Sequence, residues 1–311
     1  MKECSYSLDS YITLINMSTK KRLLVEGRSD RIHLTNLLNE IGVPNKIKID
    51  TASDLRGVDQ QTSKNNRAKI EHVNSRVQGR DNIYFLCDRE FREFVVDVND
   101  QVYDRLPQHY NEKSMFWTLG HSLENYFFSI DVLIDAFRYL CFSEYKSNAI
   151  EKFKLSLDAS FQIIASVTMA AKDMDKSTYP LSVIKWKDFY FNADQLYIKN
   201  YAESSCERNH LNECLFNLIS NYSNAMRKTD SVTNCRISRG HTGVILLQRI
   251  FSACLYEVGK DENERVAKES ANEFSTLSEK NISTALSESW SKRAINKEVQ
   301  YPELLINNFL A

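Results

Sequence analysis

Acidic residues stand where three apolar runs end: Glu26 and Asp30 in Val25-Glu26-Gly27-Arg28-Ser29-Asp30, the pair in Asp88-Arg89-Glu90, and Glu124 in Ser122-Leu123-Glu124-Asn125-Tyr126. A carboxylate placed where a strand gives way to a helix is presented to a crevice, and the glycine after Glu26 lets backbone or substrate approach closely. An acid-x-acid pair after a strand directs two carboxylates toward one spot, as a hard, oxygen-seeking cation such as magnesium requires. Glu124, beside the oxygen-bearing Asn125, completes an oxygen set sufficient for one or two divalent ions, the arrangement used for phosphodiester cleavage. Each cluster has a plainer reading on its own: acids suited to a helix dipole at Glu26 and Asp30, a solvated strand end at Asp88 and Glu90, a helix-start carboxylate at Glu124. Order and spacing taken together favour the metal site.

Two further constellations carry chemistry-bearing side chains. Arg239-Gly240-His241 precedes an amphipathic run (Val244, Ile245, Leu246, Ile250, Phe251), which sets a cation and an imidazole near a helix start, within reach of a phosphate or simply in a solvated turn. Cys206, His210 and Cys214 recur every four residues, yet three soft ligands without a fourth make a poor structural zinc site. The chain contains no G-x-x-x-x-G-K-[ST] phosphate loop, and no G-x-G-x-x-G follows the first strand. Energy-driven work therefore needs a partner.

The elements that must hold these groups follow from periodicity. Residues 20 to 25 form a short apolar run behind basic residues, which predicts a buried strand. Ser29 is the expected N-cap of a helix carrying Ile32, Leu34, Leu37, Leu38 and Ile41, closed by Gly42 and Pro44. Residues 46 to 50 alternate like a strand, 63 to 78 are polar and helical in pattern, and Asn82 to Cys87 is another apolar run. Such β-α-β-α-β alternation favours a parallel sheet with right-handed crossovers, whose ligands gather at the carboxyl ends of the strands. Met115 to Leu119 reads as a further strand, and 122 to about 142 as an aromatic-rich helical segment. From Ser143 to Ala311 the pattern is mostly helical, with Pro180 ahead of a Trp186 and Tyr190 cluster. The expected organisation is an α/β domain over 1–142 and a mostly helical region over 143–311.

Composition bounds the function. Forty basic residues face 41 acidic ones, a net charge of -1, which argues against coating nucleic acid by bulk electrostatics. A bound polyanion must be held by a local patch or a metal. Seven scattered cysteines without C-x-x-C pairs read as reduced thiols of a cytoplasmic protein. The start of the chain, Met1-Lys2-Glu3, begins no apolar leader, and no run of about 18 uncharged apolar residues occurs, so no membrane span is expected.

The ordered set Leu-Leu-Val-Glu-Gly-Arg-Ser-Asp (23 to 30), Phe-Leu-Cys-Asp-Arg-Glu-Phe (85 to 91) and Ser-Leu-Glu-Asn-Tyr (122 to 126) resembles the Toprim-like nucleases related to the overcoming-lysogenization-defect (OLD) family, and most of all the Toprim effectors of PARIS anti-phage defence. The motifs cover about the first 130 residues, and the helical remainder matches by layout and by the Arg-Gly-His turn. The resemblance implies a Toprim-like parallel sheet and a metal-dependent endoribonuclease toxin that cleaves host tRNA. Its action follows release from an ABC-type ATPase subunit (AriA-like) that senses a phage trigger protein, and the released effector is a homodimer. It implies that Glu26 is the general acid/base or bridging ligand, Asp30 a supporting acid, and Asp88, Glu90 and Glu124 metal ligands for Mg2+, with Mn2+ a substitute. It assigns catalysis to the domain over 1–142, and partner binding with dimerisation to the region over 143–311. Independently of the resemblance, the net charge of -1 leads to the expectation of a local basic patch in which Arg239 and His241 grip phosphates beside the metal and count among the catalytic groups. Where the family usually has Asp-x-Asp, this chain has Asp88 and Glu90, which keeps the charge and lengthens one arm. A DNA nuclease of the OLD type and a non-catalytic Toprim-like adaptor are the rival readings.

Overall fold

The computed structural model describes residues 6–43, 47–77 and 79–310. Met1, Lys2, Glu3, Cys4, Pro44, Lys46, Gln78 and Ala311, on which parts of the sequence reading fall, lie outside the described residues. In chain order the first elements are α1 (Leu8–Met17), β1 (Lys21–Val25), α2 (Arg28–Glu40), β2 (Ile47–Thr51), a 3-10 turn at Ala52–Asp54, α3 (Gln60–Lys64), α4 (Asn66–Arg76) and β3 (Ile83–Cys87). A hairpin of β4 (Phe94–Val96) and β5 (Val102–Asp104) follows, then β6 (Asn111–Glu112) and β7 (Met115–Trp117).

The sheet runs β2-β1-β3-β7-β6; β1 pairs in parallel with both β2 and β3, β3 in parallel with β7, and the short edge β6 is antiparallel. Strand order reverses at β1 and β3, because the chain leaves β1 toward β2 and must return across β1 to lay down β3. Side chains alternate across the pleat. Leu24 of β1 joins Phe85 and Cys87 of β3 in a cluster with Ile15 of α1 and Ile70 and Val73 of α4. Leu23 and Val25, out of phase with it, are also fully buried, and α2 packs against β1 and β2 with Leu34 and Leu37 inward.

Two local expectations are corrected. Ser29 is not the N-cap of α2: Gly27 holds that position, and because a glycine has no capping side chain, Asp30 in the first turn accepts the Gly27 N–H at 2.8 Å instead. The polar stretch 63 to 78 is not one helix, since Asn65 has extended backbone and uses its carboxamide oxygen to cap α4 at the Ala68 N–H (3.1 Å). The helix α2 ends as expected, with Gly42 in the left-handed region.

The segment after β7 divides into a 3-10 turn at Leu123–Phe127 and α5 (Ile130–Leu140), capped by Ser129. Then come α6 (Lys146–Leu155), α7 (Leu157–Asp173), α8 (Tyr179–Val183), the hairpin β8 (Phe189–Asn192) and β9 (Gln195–Ile198), α9 (His210–Lys228), α10 (Ser231–Ile237), α11 (Gly240–Ser275, broken at Asn263), α12 (Glu279–Ile295) and α13 (Glu303–Leu310). The region is mostly helical, as the pattern implies, with one hairpin added.

Two compact units interleave along the chain. The first comprises Met1–Arg89, Leu106–Leu123 and Trp290–Ala311, and contains the sheet. The second comprises Glu90–Arg105 and Glu124–Ser289. In the first, α13 returns to the sheet: Phe309 packs edge-on against Tyr84 of β3 at 4.9 Å, and Lys21 of β1 donates to the Phe309 carbonyl at 3.2 Å. In the second, Phe91 and the β4–β5 hairpin pack with Val102 on Met169, Tyr222 and Met226 of α7 and α9, while Phe137, Phe153, Phe251 and Phe274 form an aromatic core. Among the described residues, the six cysteines are free thiols and no helix is long and apolar enough to cross a membrane.

Candidate functional site

Parallel pairing brings the carboxyl ends of β1 and β3 side by side, with Val25 opposite Leu86. The next residues out are Glu26 on one strand and Cys87 and Asp88 on the other. Here, at the point where strand order reverses, open α/β sheets leave a crevice because successive connections depart to opposite faces. The Asp88 N–H donates to Glu26 Oε1 at 3.1 Å, so the two acidic positions are neighbours in space though 62 residues apart. A second bond anchors Glu26 by its backbone, whose carbonyl accepts the Ser53 N–H at 3.2 Å. Burial raises the Cys87 thiol well above its ordinary pKa, and the negative fields of Glu26 and Asp88 push it the same way.

Side chains outside the predicted set cluster at the carboxyl end of β2, the strand paired with β1 on its other side. Arg28 grips Asp54 through Nε and Nη2 at 2.9 and 2.7 Å, and Thr51 donates to the other Asp54 oxygen at 2.5 Å. Burial alone would raise the Asp54 carboxyl, but the bonds from Thr51 and Arg28 outweigh it and hold the group below the ordinary aspartate value. Lys69 reaches from α4 to the Ala52 carbonyl at 3.0 Å and is 5 % exposed. Burial holds its pKa below that of an ordinary lysine, with Asp54 pulling the other way. Beside β2 a cavity of about 430 Å3 is lined by Arg28, Arg31, Lys48 and Arg56 against Asp50 and Asp54, a basic excess next to the carboxylates. Asp54 and Lys69 do not stand out in the sequence because neither ends a periodic element; the one signal there is Thr51-x-x-Asp54 after an alternating strand.

Arg89, between the two acids, turns inward. Its backbone N–H donates to Thr118 Oγ1 at 2.9 Å and its guanidinium to the carbonyls of Leu106 and Leu119 at 3.2 and 2.9 Å, leaving it 1 % exposed. Strand alternation stops at Cys87, and Glu90 has a φ of 52°, a left-handed turn for a non-glycine residue. Glu90 opens the second compact unit, and Glu124 lies there also.

Within that unit two of the sequence motifs meet. Asn125, next to Glu124, donates to the carbonyls of Cys235 (2.7 Å) and Ser238 (2.9 Å), closing the end of α10 one residue before Arg239. Arg239 is the N-cap of α11; its N–H donates to Thr168 Oγ1 at 3.1 Å and its guanidinium to Thr242 Oγ1 at 3.3 Å. His241 Nδ1 is paired with Glu279 Oε1. Cys206 precedes α9, so it does not share a helical face with His210 and Cys214, and Ser204 Oγ lies 2.9 Å from its sulfur.

The sequence-predicted residues thus form two sets, Glu26, Asp30 and Asp88 in the first unit and Glu90, Glu124, Arg239 and His241 in the second. Among the described residues, no group of three or more His, Cys, Asp or Glu side chains is gathered to hold a metal ion. Magnesium does not need one: it is commonly held by one or two carboxylates, with water and substrate phosphates completing its octahedron. Glu26 and Asp88 fit that demand. No protein-family model matches the chain, and no curated protein matches it.

Proposed function

We propose that the chain is a Toprim-type, metal-dependent endonuclease whose reacting centre is the crevice of Glu26 and Asp88. The carrying observation is the placement of these two carboxylates on adjacent parallel strand ends where strand order reverses, tied by the Asp88 N–H to Glu26 Oε1. Bound Mg2+, or Mn2+ in its place, supplies charge neutralisation at a phosphate and a more acidic water. Asp88 and Glu26 would hold it, with water and substrate phosphates completing its shell. Glu26 also takes or returns the proton at the attacking oxygen, and Asp30 holds the Gly27 turn that aims Glu26. Arg239 and His241, in the second unit, offer a cation and an imidazole to a phosphate.

The fuller reading, carried by the sequence resemblance, is an AriB-like effector: a cytoplasmic toxin that cleaves host tRNA once freed from an AriA-like ABC-type ATPase, which the helical region binds, and that acts as a homodimer. The test is cleavage by the purified full-length chain, with Mg2+ or Mn2+, of total tRNA and of single- and double-stranded DNA, with sequencing of the RNA ends. Metal-dependent tRNA cleavage that falls more than about a hundredfold in Glu26→Ala supports the reading, since acid–base groups contribute about 10²–10⁴-fold. Metal-dependent cleavage of DNA alone would transfer the site to an OLD-type DNA nuclease. No cleavage with any metal, together with toxicity that survives Glu26→Ala in cells, would leave a non-catalytic adaptor.

A further inference from the structure

The second unit contains a cavity of about 270 Å3 between α7, α9 and β9, with walls drawn from residues 159 to 227. None of the described residues lining it is acidic, whereas Lys199 and Arg227 bring two positive charges. In a chain with 40 basic and 41 acidic residues, a wall with two cations and no carboxylate is a local departure that selects an anion. Neither cation forms an ion pair among the described residues.

The rest of the wall is not what a bare anion needs. Gln162 and Asn217 present carboxamides, each with donor and acceptor side by side, the pattern that matches the edge of a nucleobase. Tyr197 adds an aromatic face and is backed by Tyr190, ring centroids 5.5 Å apart and nearly parallel, which makes it a stiff platform. Asn217 and Arg227 stand ten residues apart on α9, about 15 Å at 1.5 Å per residue, so carboxamide and guanidinium mark opposite ends of an elongated ligand. Base stacking on tyrosine, amide contacts to the base edge and cations at the phosphate are how unstacked nucleotides are held.

We propose that this cavity binds one nucleotide unit, with Lys199 and Arg227 at its phosphate, Tyr197 on its base and Gln162 and Asn217 at the base edge. The site is independent of the Glu26 and Asp88 chemistry and stands or falls apart from it. Two sources present this ligand: a free nucleotide, or a nucleotide splayed from a single-stranded RNA. The experiment is calorimetric titration of the full-length chain, without divalent metal, with the four ribonucleoside 5′-monophosphates, inorganic phosphate and a single-stranded hexaribonucleotide. Saturable binding of a monophosphate or the hexamer, weakened about tenfold or more by Arg227→Gln and by Asn217→Leu, is the expected result. A hexamer bound more tightly than every monophosphate assigns the site to RNA, and equal affinities assign it to free nucleotides. Absence of saturable binding, affinities that neither variant changes, or inorganic phosphate bound as tightly as the nucleotides would each overturn the proposal. The substituted residues are exposed on α9, and unchanged thermal melting of both variants ties any loss to the cavity.

Discussion

Glu26 combines two features that ordinary surface acids do not share: its backbone is fixed at a strand end, and its carboxylate accepts a neighbouring strand's N–H. Because its packing contribution is small, Glu26→Ala should shift stability by only about 0.5 kcal/mol while abolishing cleavage; a melting point lowered in step with activity would mark it as structural. The Arg28–Asp54 clamp makes a separate prediction with a definite sign. Asp54 is held below its ordinary pKa when folded, so its contribution to stability is fully present above the unfolded value and is lost as pH falls through the lower, folded one. Thermal melts of the native chain and Asp54→Asn should therefore differ at neutral pH and converge at acid pH. A difference that persists undiminished below the aspartate range would show that hydrogen bonding, not charge, carries the clamp. The carboxylates themselves were legible in the sequence because each follows an apolar run. Lys69 and Asp54 were not, since only the fold brings an α4 lysine to the carbonyl of Ala52.

At the level of elements, strand and helix identities around the crevice follow from local pattern, and β1, α2 and β3 lie where the apolar runs and the helical spacing put them. The β8–β9 hairpin illustrates what periodicity misses. Its turn places Ala193 and Asp194 at φ of 45° and 65°, without the glycine or asparagine that usually announces such a turn. Close approach of elements is equally silent in sequence. Gly243, in the first turns of α11, lies so near the buried Phe128 that an added Cβ would come within 2.6 Å of its ring. Alanine is the better helix former by about 1 kcal/mol, yet overpacking a filled core costs about 1–3 kcal/mol. Gly243→Ala should thus be destabilising in urea unfolding. A gain in stability would mean that Phe128 yields without strain.

Over the whole molecule, sequence order and compactness part company. The composition change near residue 142 reflects a true shift to helical pattern, but the compact units exchange segments that local pattern cannot reveal: Glu90–Arg105 joins the helical unit, and Trp290–Ala311 the sheet. The return of α13 is an energetic commitment. Leu305, Ile306 and Phe309 are 1, 2 and 3 % exposed, and burial of such side chains contributes about 1.5–3 kcal/mol each before the cost of ordering the segment is subtracted. Phe309 also closes the edge of Tyr84, and its carbonyl takes the Lys21 amine, so β1 and β3, the two strands that end in Glu26 and Asp88, lean on the last helix. Removing residues 303–311 should therefore destabilise the sheet by several kcal/mol and weaken the proposed metal-dependent activity. A single substitution, Phe309→Ala, should cost about 3–5 kcal/mol by leaving a cavity against Tyr84. Hydrogen exchange in β1 and β3 is the deciding measurement: protection of these strands that is the same with and without residues 303–311 would show that the sheet is self-sufficient and that α13 covers it without supporting it.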